Sequence, residues 1–286
     1  MIDLYTVGDL KWLITLSVPH FPLLGEMTRV TRIERQIGND AAIVSLLASR
    51  LGMQCLLFPT NIISRHDGQP LVDLLQRHGV DVSFIDMGGA VTPTTFCLSQ
   101  VSSDERTWLV EDCAFHYNTD FDGPPDFTFA YLDLYEEHLE ERLTLLHKWS
   151  KTNPRYLVNL SSSNLEEKVR RLSQFPFIDT IQMRGSNGIK EAQIWGRYVL
   201  QTCNVKASLI TLGGLGAMLV DQHSEYFIEA EHIHPLRTIG AGASFAAGFI
   251  YALSLGATYR EAAIEATRHA AGFCTSKENP LEAIKT

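Results

Sequence analysis

Two glycine-rich stretches hold the residue types and spacing best suited to chemistry in this chain of 286 residues. The first is Thr238-Ile239-Gly240-Ala241-Gly242-Ala243-Ser244-Phe245, directly ahead of an apolar run. Gly-Ala-Gly at a helix entry lets successive backbone N–H groups converge on one point. Those amides sit at the positive end of the helix dipole and favour an anion. A tight turn with glycines placed for steric reasons would look the same, and the stretch alone leaves both readings open. The second is Ile210-Thr211-Leu212-Gly213-Gly214-Leu215-Gly216-Ala217, a strand, a glycine turn and a return strand. Bare glycines let a ring or phosphate approach the backbone, although in isolation a hairpin turn is the simpler account.

Other patterns are weaker. Gly242-Ala243-Ser244-Phe245-Ala246 has a trace of a serine-hydrolase elbow, but only Glu261 and Glu265 precede His269, all on one helix, and Ser244 reads better as a helix N-terminal residue. Glu231-His232-Ile233-His234 has metal-binding residue types in a polar strand end that is more simply solvated. Asp120-Phe121-Asp122-Gly123 lacks the spacing and closing Glu of a calcium loop. His116 and Tyr117 read as loop residues near a binding cleft or on a plain surface. No G-x-x-x-x-G-K-[ST] is present.

The elements that must position these residues follow from periodicity. Strands are expected at 3–7, 28–34, 54–59, 80–85, 94–100, 107–110, 129–134, 155–160, 178–183 and 207–212, with a hairpin from 217–220 and 226–228. Helices are expected at 40–51, around Leu71, Leu74 and Leu75, from Leu139 to Leu146, at 189–202 and at 244–254. Ser163/Glu166 and Thr258/Glu261 read as capping boxes opening two more. Strand–helix alternation through the second half predicts an α/β fold, a mostly parallel sheet with helices on both faces. Segments 13–34 and 88–114 break that alternation and read as a small β appendage. The whole, 1–286, reads as one domain.

Composition excludes several classes. Apolar residues make up 45% and charged residues 20%, enough for a sizeable core. Net charge is 24 − 33 = −9, against a nucleic-acid-backbone binder. Five scattered cysteines without C-x-x-C read as reduced thiols of a cytoplasmic protein. No run reaches the ~18 apolar residues of a membrane span, and the N-terminus has acids where a signal peptide has bases.

Taken in order, the two glycine stretches resemble the PfkB family of carbohydrate and nucleoside kinases. Arg237-Thr238-Ile239-Gly240-Ala241-Gly242-Ala243-Ser244-Phe245-Ala246-Ala247-Gly248-Phe249 is similar to its second signature, Asp-Thr-x-Gly-Ala-Gly-Asp-x-Phe-x-x-Gly-Phe. Gly38-Asn39-Asp40-Ala41-Ala42 with Leu51-Gly52 resembles the first. Asp67-Gly68 with Leu71, Gly79-Val80-Asp81 and Asp104-Glu105-Arg106 extend the likeness along nearly the whole chain. The resemblance implies a ribokinase-like fold with a β lid and transfer of the γ-phosphate of ATP, with Mg²⁺, to a sugar or nucleoside hydroxyl; an exposed lid face that is apolar and edge-prone predicts a homodimer through the lid. It implies an anion hole at Gly240, Ala241 and Gly242, nucleotide contacts from Thr211, Gly213, Gly216, Gly240 and Gly242, and acceptor contacts from Asp9, Gly38, Asn39 and Asp40. Mg²⁺ would meet Glu191 through water.

Departures from the pattern are as informative. The family's catalytic base is the Asp after Gly-Ala-Gly, and here that residue is Ala243. Because Gly240, Ala241, Gly242 and the helix are intact, an engineered Asp-to-Ala change is the favoured reading; the alternative is a natural pseudokinase with a sensing or protein-contact role. Arg237 replaces an Asp that helps build a monovalent-cation site, so potassium activation is not expected. Asn187 and Glu191 stand one residue too far apart for the family's Asn-x-x-Glu. Leu13, Asn39 and Ile43 depart from acceptor-binding positions and point to an acceptor unlike ribose, or to a lost one.

Overall fold

A computed structural model describes residues 2–101, 105–114, 116, 127–135, 137–149, 154–186 and 188–283. Among them the strands are β1 (Ile2–Gly8), β2 (Lys11–Val18), β3 (Arg32–Gly38), β4 (Cys55–Pro59), β5 (Thr94–Gln100), β6 (Arg106–Val110), β7 (Phe127–Asp133), β8 (Arg155–Asn159), β9 (Ile178–Arg184), β10 (Ala207–Thr211), β11 (Gly216–Asp221) and β12 (Glu225–Glu229). The helices are α1 (Asp40–Arg50), α2 (Arg65–Arg77), α3 (Leu139–Trp149), α4 (Leu165–Leu172), α5 (Ile189–Cys203), α6 (Ala241–Ser254) and α7 (Tyr259–Thr275).

Eight strands form the main sheet in the order β12-β11-β10-β9-β8-β7-β1-β4. It is parallel from β4 to β10, with β11 and β12 added antiparallel. Strand alternation divides the core into two. Leu4, Leu57, Tyr131, Leu157 and Leu209 pack with α1, α2, α6 and α7. Tyr5, Phe58, Leu132, Val158 and Ile210 pack with α3, α4 and α5. Helices on both faces explain why these strands read as continuous apolar runs.

The fold is therefore the expected α/β fold, a mostly parallel sheet with helices on both faces, and the appendage is a separate sheet of order β3-β2-β5-β6. Its details differ from expectation. Lys11–Val18 is a full strand at the middle of the small sheet, a strand not separately expected within the 13–34 appendage segment. The strand expected at 28–34 lies at 32–38, because its register is set by pairing with β2, Lys11 opposite Gly38 and Ser17 opposite Arg32. Val80–Ile85 makes one bridge, Asp81 beside Leu56, and then turns. The Ser163/Glu166 box does not form; Asn164 caps α4 with a left-handed backbone and no side-chain bond. The Thr258/Glu261 box does form at α7. The Ser102–Asp104 turn, Tyr117, Asp120–Gly123 and Asn187 lie outside the described residues.

Candidate active site

The chain reverses its direction of travel across the main sheet between β1 and β7. In open α/β sheets the carboxyl ends of the strands at such a point form the ligand crevice. Buried polar residues stand near these ends: Asp133 is the last residue of β7, Asn159 the last of β8, and Gln182 on β9 pairs with Asn159.

The glycine turn closes over this edge. Gly240 is the N-cap of α6 with φ +93°, and a Cβ there would sit 2.9 Å from Phe273 Cζ, so glycine is required twice over. α6 begins at Ala241, three residues earlier than expected, which puts Gly242 and Ala243 inside its first turn. The Ala241 N–H bonds the Thr238 carbonyl and the Ser244 N–H bonds that of Gly240. The N–H groups of Gly242 and Ala243 have no acceptor among the described residues. Gln182 Nε2 donates to the Gly242 carbonyl at 3.2 Å, while its Oε1 is buried without a partner. Ala243 itself is only 1% exposed. From the small sheet, Arg106 donates to Thr238 Oγ1, so β6 is latched to the mouth of the turn.

Arg237 points the other way. Its guanidinium donates to the carbonyls of Phe273 and Ser276 at the end of α7, where a cation complements the helix dipole.

The residues expected to meet a nucleotide lie at an adjoining strand end. Thr211 closes β10 and donates to the Met183 carbonyl. Gly213, φ +58°, lies in an exposed turn with nothing within 4 Å of a would-be Cβ, which is open space for a ligand. Gly216 has a packing reason: a Cβ would strike the Ile228 carbonyl on β12. Glu191, in the first turn of α5, buries Oε2 without a partner among the described residues. A hard oxygen donor left unpaired fits Mg²⁺, and because no three acidic, His or Cys side chains cluster among the described residues, most of such an ion's ligands would come from phosphates and water.

Of the residues expected to meet an acceptor, Gly38 ends β3 and Asn39 caps α1 with φ 72°, its side chain accepting from the Asp40 N–H. Asp40 Oδ2 accepts from Tyr135 OH at 2.7 Å and Asn159 Nδ2 at 2.9 Å. Burial raises the Asp40 pKa, against those two hydrogen bonds. Asp9 is placed differently. Oδ1 takes Arg142 at 3.0 Å and Thr60 Oγ1 at 2.6 Å, and Oδ2 takes Lys11 at 3.1 Å, leaving neither oxygen open. Burial would raise the Asp9 carboxyl, but Arg142 and Lys11 hold it at about 2. Arg142 also meets Asp133 at 2.5 Å, and burial still pushes Asp133 up to about 7. Asp9 thus braces the crevice wall.

The turn, Asp40, Asn159 and Gln182 are brought to one edge, whereas Gly216 and Asp9 are held by packing and ion pairs. Sequence reasoning missed Gln182, Asn159, Tyr135, Asp133 and Arg142. For Asn159 and Asp133 a signal existed, a polar residue ending an apolar strand; Arg142 sits on a helix and gave none.

Residues 179–284 match the model described as pfkB family carbohydrate kinase. The aminoimidazole riboside kinase of Salmonella typhimurium is 25% identical over 236 residues, covering 76% of this chain and 73% of that one. The 5-dehydro-2-deoxygluconokinase of Geobacillus thermodenitrificans is 22% identical, covering 89% and 82%. A crystal structure of ribokinase from Cryptococcus neoformans, in complex with ADP, superposes with TM-score 0.82 at 18% identity, covering 100% and 97%. The last third of the chain thus resembles the pfkB family of carbohydrate kinases, and the whole chain has a ribokinase-like fold.

Proposed function

We propose that the chain is an ATP-dependent phosphotransferase for a primary hydroxyl of a sugar or nucleoside, impaired in turnover by Ala at position 243. The observation that carries this reading is the head of α6, two unpaired amides at the positive end of a long buried helix. Such a group holds phosphate oxygens as charge develops on them. Thr211 and Gly213 would line the nucleotide, and Gly38, Asn39 and Asp40 the acceptor. Mg²⁺, reached by Glu191 through water, would offset charge between phosphates. The two sheets act as one domain, with the small sheet as its lid. The riboside and deoxygluconate named for the relatives set the acceptor panel: ribosides, hexoses and keto-sugars. Arg237 already puts a cation at the end of α7, in keeping with turnover independent of potassium.

Calorimetry with ATP and Mg²⁺ tests the reading directly. Binding should be retained, because neither amide depends on the side chain at 243, and the lost carboxylate removes repulsion from the phosphates. No response to any adenine nucleotide would remove the kinase reading. The burial of Ala243 among apolar neighbours and the use of Arg237 as a helix cap favour a second reading, a natural pseudokinase. Ala243→Asp separates the two.

A further expectation concerns assembly. Ile33, Phe96 and Leu109 share one face of the small sheet and are exposed, opposite the face carrying Arg106 and Trp108. An apolar sheet face of this kind calls for a partner. A homodimer through it is expected in light scattering at micromolar concentration, and replacing Leu109 with Glu should give monomers. A monomeric parent chain would overturn the assignment. Among the described residues no helix is long and apolar enough to cross a membrane.

A further inference from the structure

We infer that Asp40 is the carboxylate that takes the acceptor's proton in this chain, in place of the missing side chain at 243. The inference rests on the kinase reading above. Three observations carry it, the first being orientation. Tyr135 OH and Asn159 Nδ2 both donate to Oδ2, while Oδ1 accepts no bond among the described residues. A carboxylate pinned through one oxygen presents the other at a defined angle, as a general base requires.

Position is the second observation. Asn159 on β8 pairs in register with Gln182 on β9, and Gln182 holds the Gly242 carbonyl. Asp40 and the anion turn therefore stand over neighbouring strand ends, about 4.8 Å apart by strand spacing. α1 and α6, which start with them, pack against each other in the same core. An acceptor hydroxyl facing the Gly242 and Ala243 amides lies between the two.

The third is environment. The residue is half-buried, and burial makes its side chain a stronger base than an ordinary carboxylate. Tyr135 and Tyr131 are held neutral beside it, their pKa values raised by burial. Arg142 faces Asp133 and Asp9, not Asp40.

The step balances within the proposed reaction. The acceptor oxygen bonds to the γ-phosphorus of ATP, the bond from that phosphorus to the β,γ-bridging oxygen breaks, and its electron pair leaves with ADP. The hydroxyl proton passes to Asp40 Oδ1 and then to water.

The test uses the full chain, ATP with Mg²⁺, and the panel acceptor turned over fastest by Ala243→Asp. The parent chain should show slow turnover that falls at least tenfold in Asp40→Asn, with the KM for acceptor little changed and ATP binding intact. Asparagine keeps an oxygen for Tyr135, so the fold is retained. In the double variant Ala243→Asp with Asp40→Asn, turnover should return to within a few-fold of Ala243→Asp alone. The parent's rate should rise with pH through a value above that of an ordinary carboxylate, and the double variant should lose that inflection. A double variant still slowed tenfold or more, with raised KM, would make Asp40 an acceptor-binding group only and overturn the inference. Parent turnover that is undetectable, or unchanged by Asp40→Asn, would overturn it too. Failure of Ala243→Asp itself on every acceptor would strike the underlying kinase reading.

Discussion

Restoring Asp at position 243 should raise ATP-dependent phosphorylation of a sugar or nucleoside by about 10²-fold or more, the usual worth of a positioned general base. The turn is built to use it. Residue 243 follows Gly240–Gly242 in the first turn of α6, where the helix dipole and two unpaired amides favour an ionised carboxylate. As the acceptor hydroxyl approaches phosphorus, that carboxylate shares its proton while the amides hold the phosphate oxygens. Ala243 offers a methyl group, so binding should survive while turnover falls by about 10²-fold or more. Initial rates over the acceptor panel, with and without the substitution, check this. If turnover stays undetectable while ATP still binds, the pseudokinase reading prevails. The departures at Leu13, Asn39, Ile43 and Arg237 then read as decay of a catalytic site.

Arg142→Ala should destabilise the fold by about 3–5 kcal/mol, because it leaves two buried carboxylates without their shared cation. Arg142 and Asp133 are fully buried and Asp9 nearly so, with Lys11 as the remaining counter-charge for Asp9. The loss should depend on pH. Asp133, held at about 7 by burial even beside Arg142, sits well above the ~3.9 of an unfolded Asp. A carboxyl raised on folding contributes stability that is full below about 3.9 and is lost as pH rises through the folded value. Removing Arg142 raises that folded value further. The deficit of the variant should therefore be smallest in weak acid and widest above neutrality. Urea unfolding of both chains at about pH 5.5 and 8 reads it directly. A gap that is absent, or that widens toward acid, would show that the wall stands without the ion pairs.

The fate of individual residues shows what was legible. The Gly240–Gly242 turn was, since only glycine tolerates the backbone it needs and the apolar run behind it announces a buried helix. The α/β layering was legible as well, because strands covered on both faces must be apolar at successive positions while helices keep a 3.6-residue stripe. Asp9 was legible as a polar residue at a strand end, but not as a brace, because Arg142 and Lys11 reach it from a helix after β7 and from the first strand of the small sheet. Gly216 looked like its neighbour Gly213; one lies against β12 and the other opens to solvent.

What the sequence determined by itself was therefore local and periodic: the element types, the two layers of helices, the glycine turn at the head of α6 and the Ala at 243. The tertiary structure decided register and partnership. It set β3 at 32–38 through its pairing with β2, put Asp40 under Tyr135 and Asn159, and joined Gln182 to the Gly242 carbonyl. The reason is physical. Backbone conformation and burial periodicity depend on residues within a few positions of each other. Hydrogen bonds between strand ends join residues 60 to 119 apart in sequence, which no local spacing encodes.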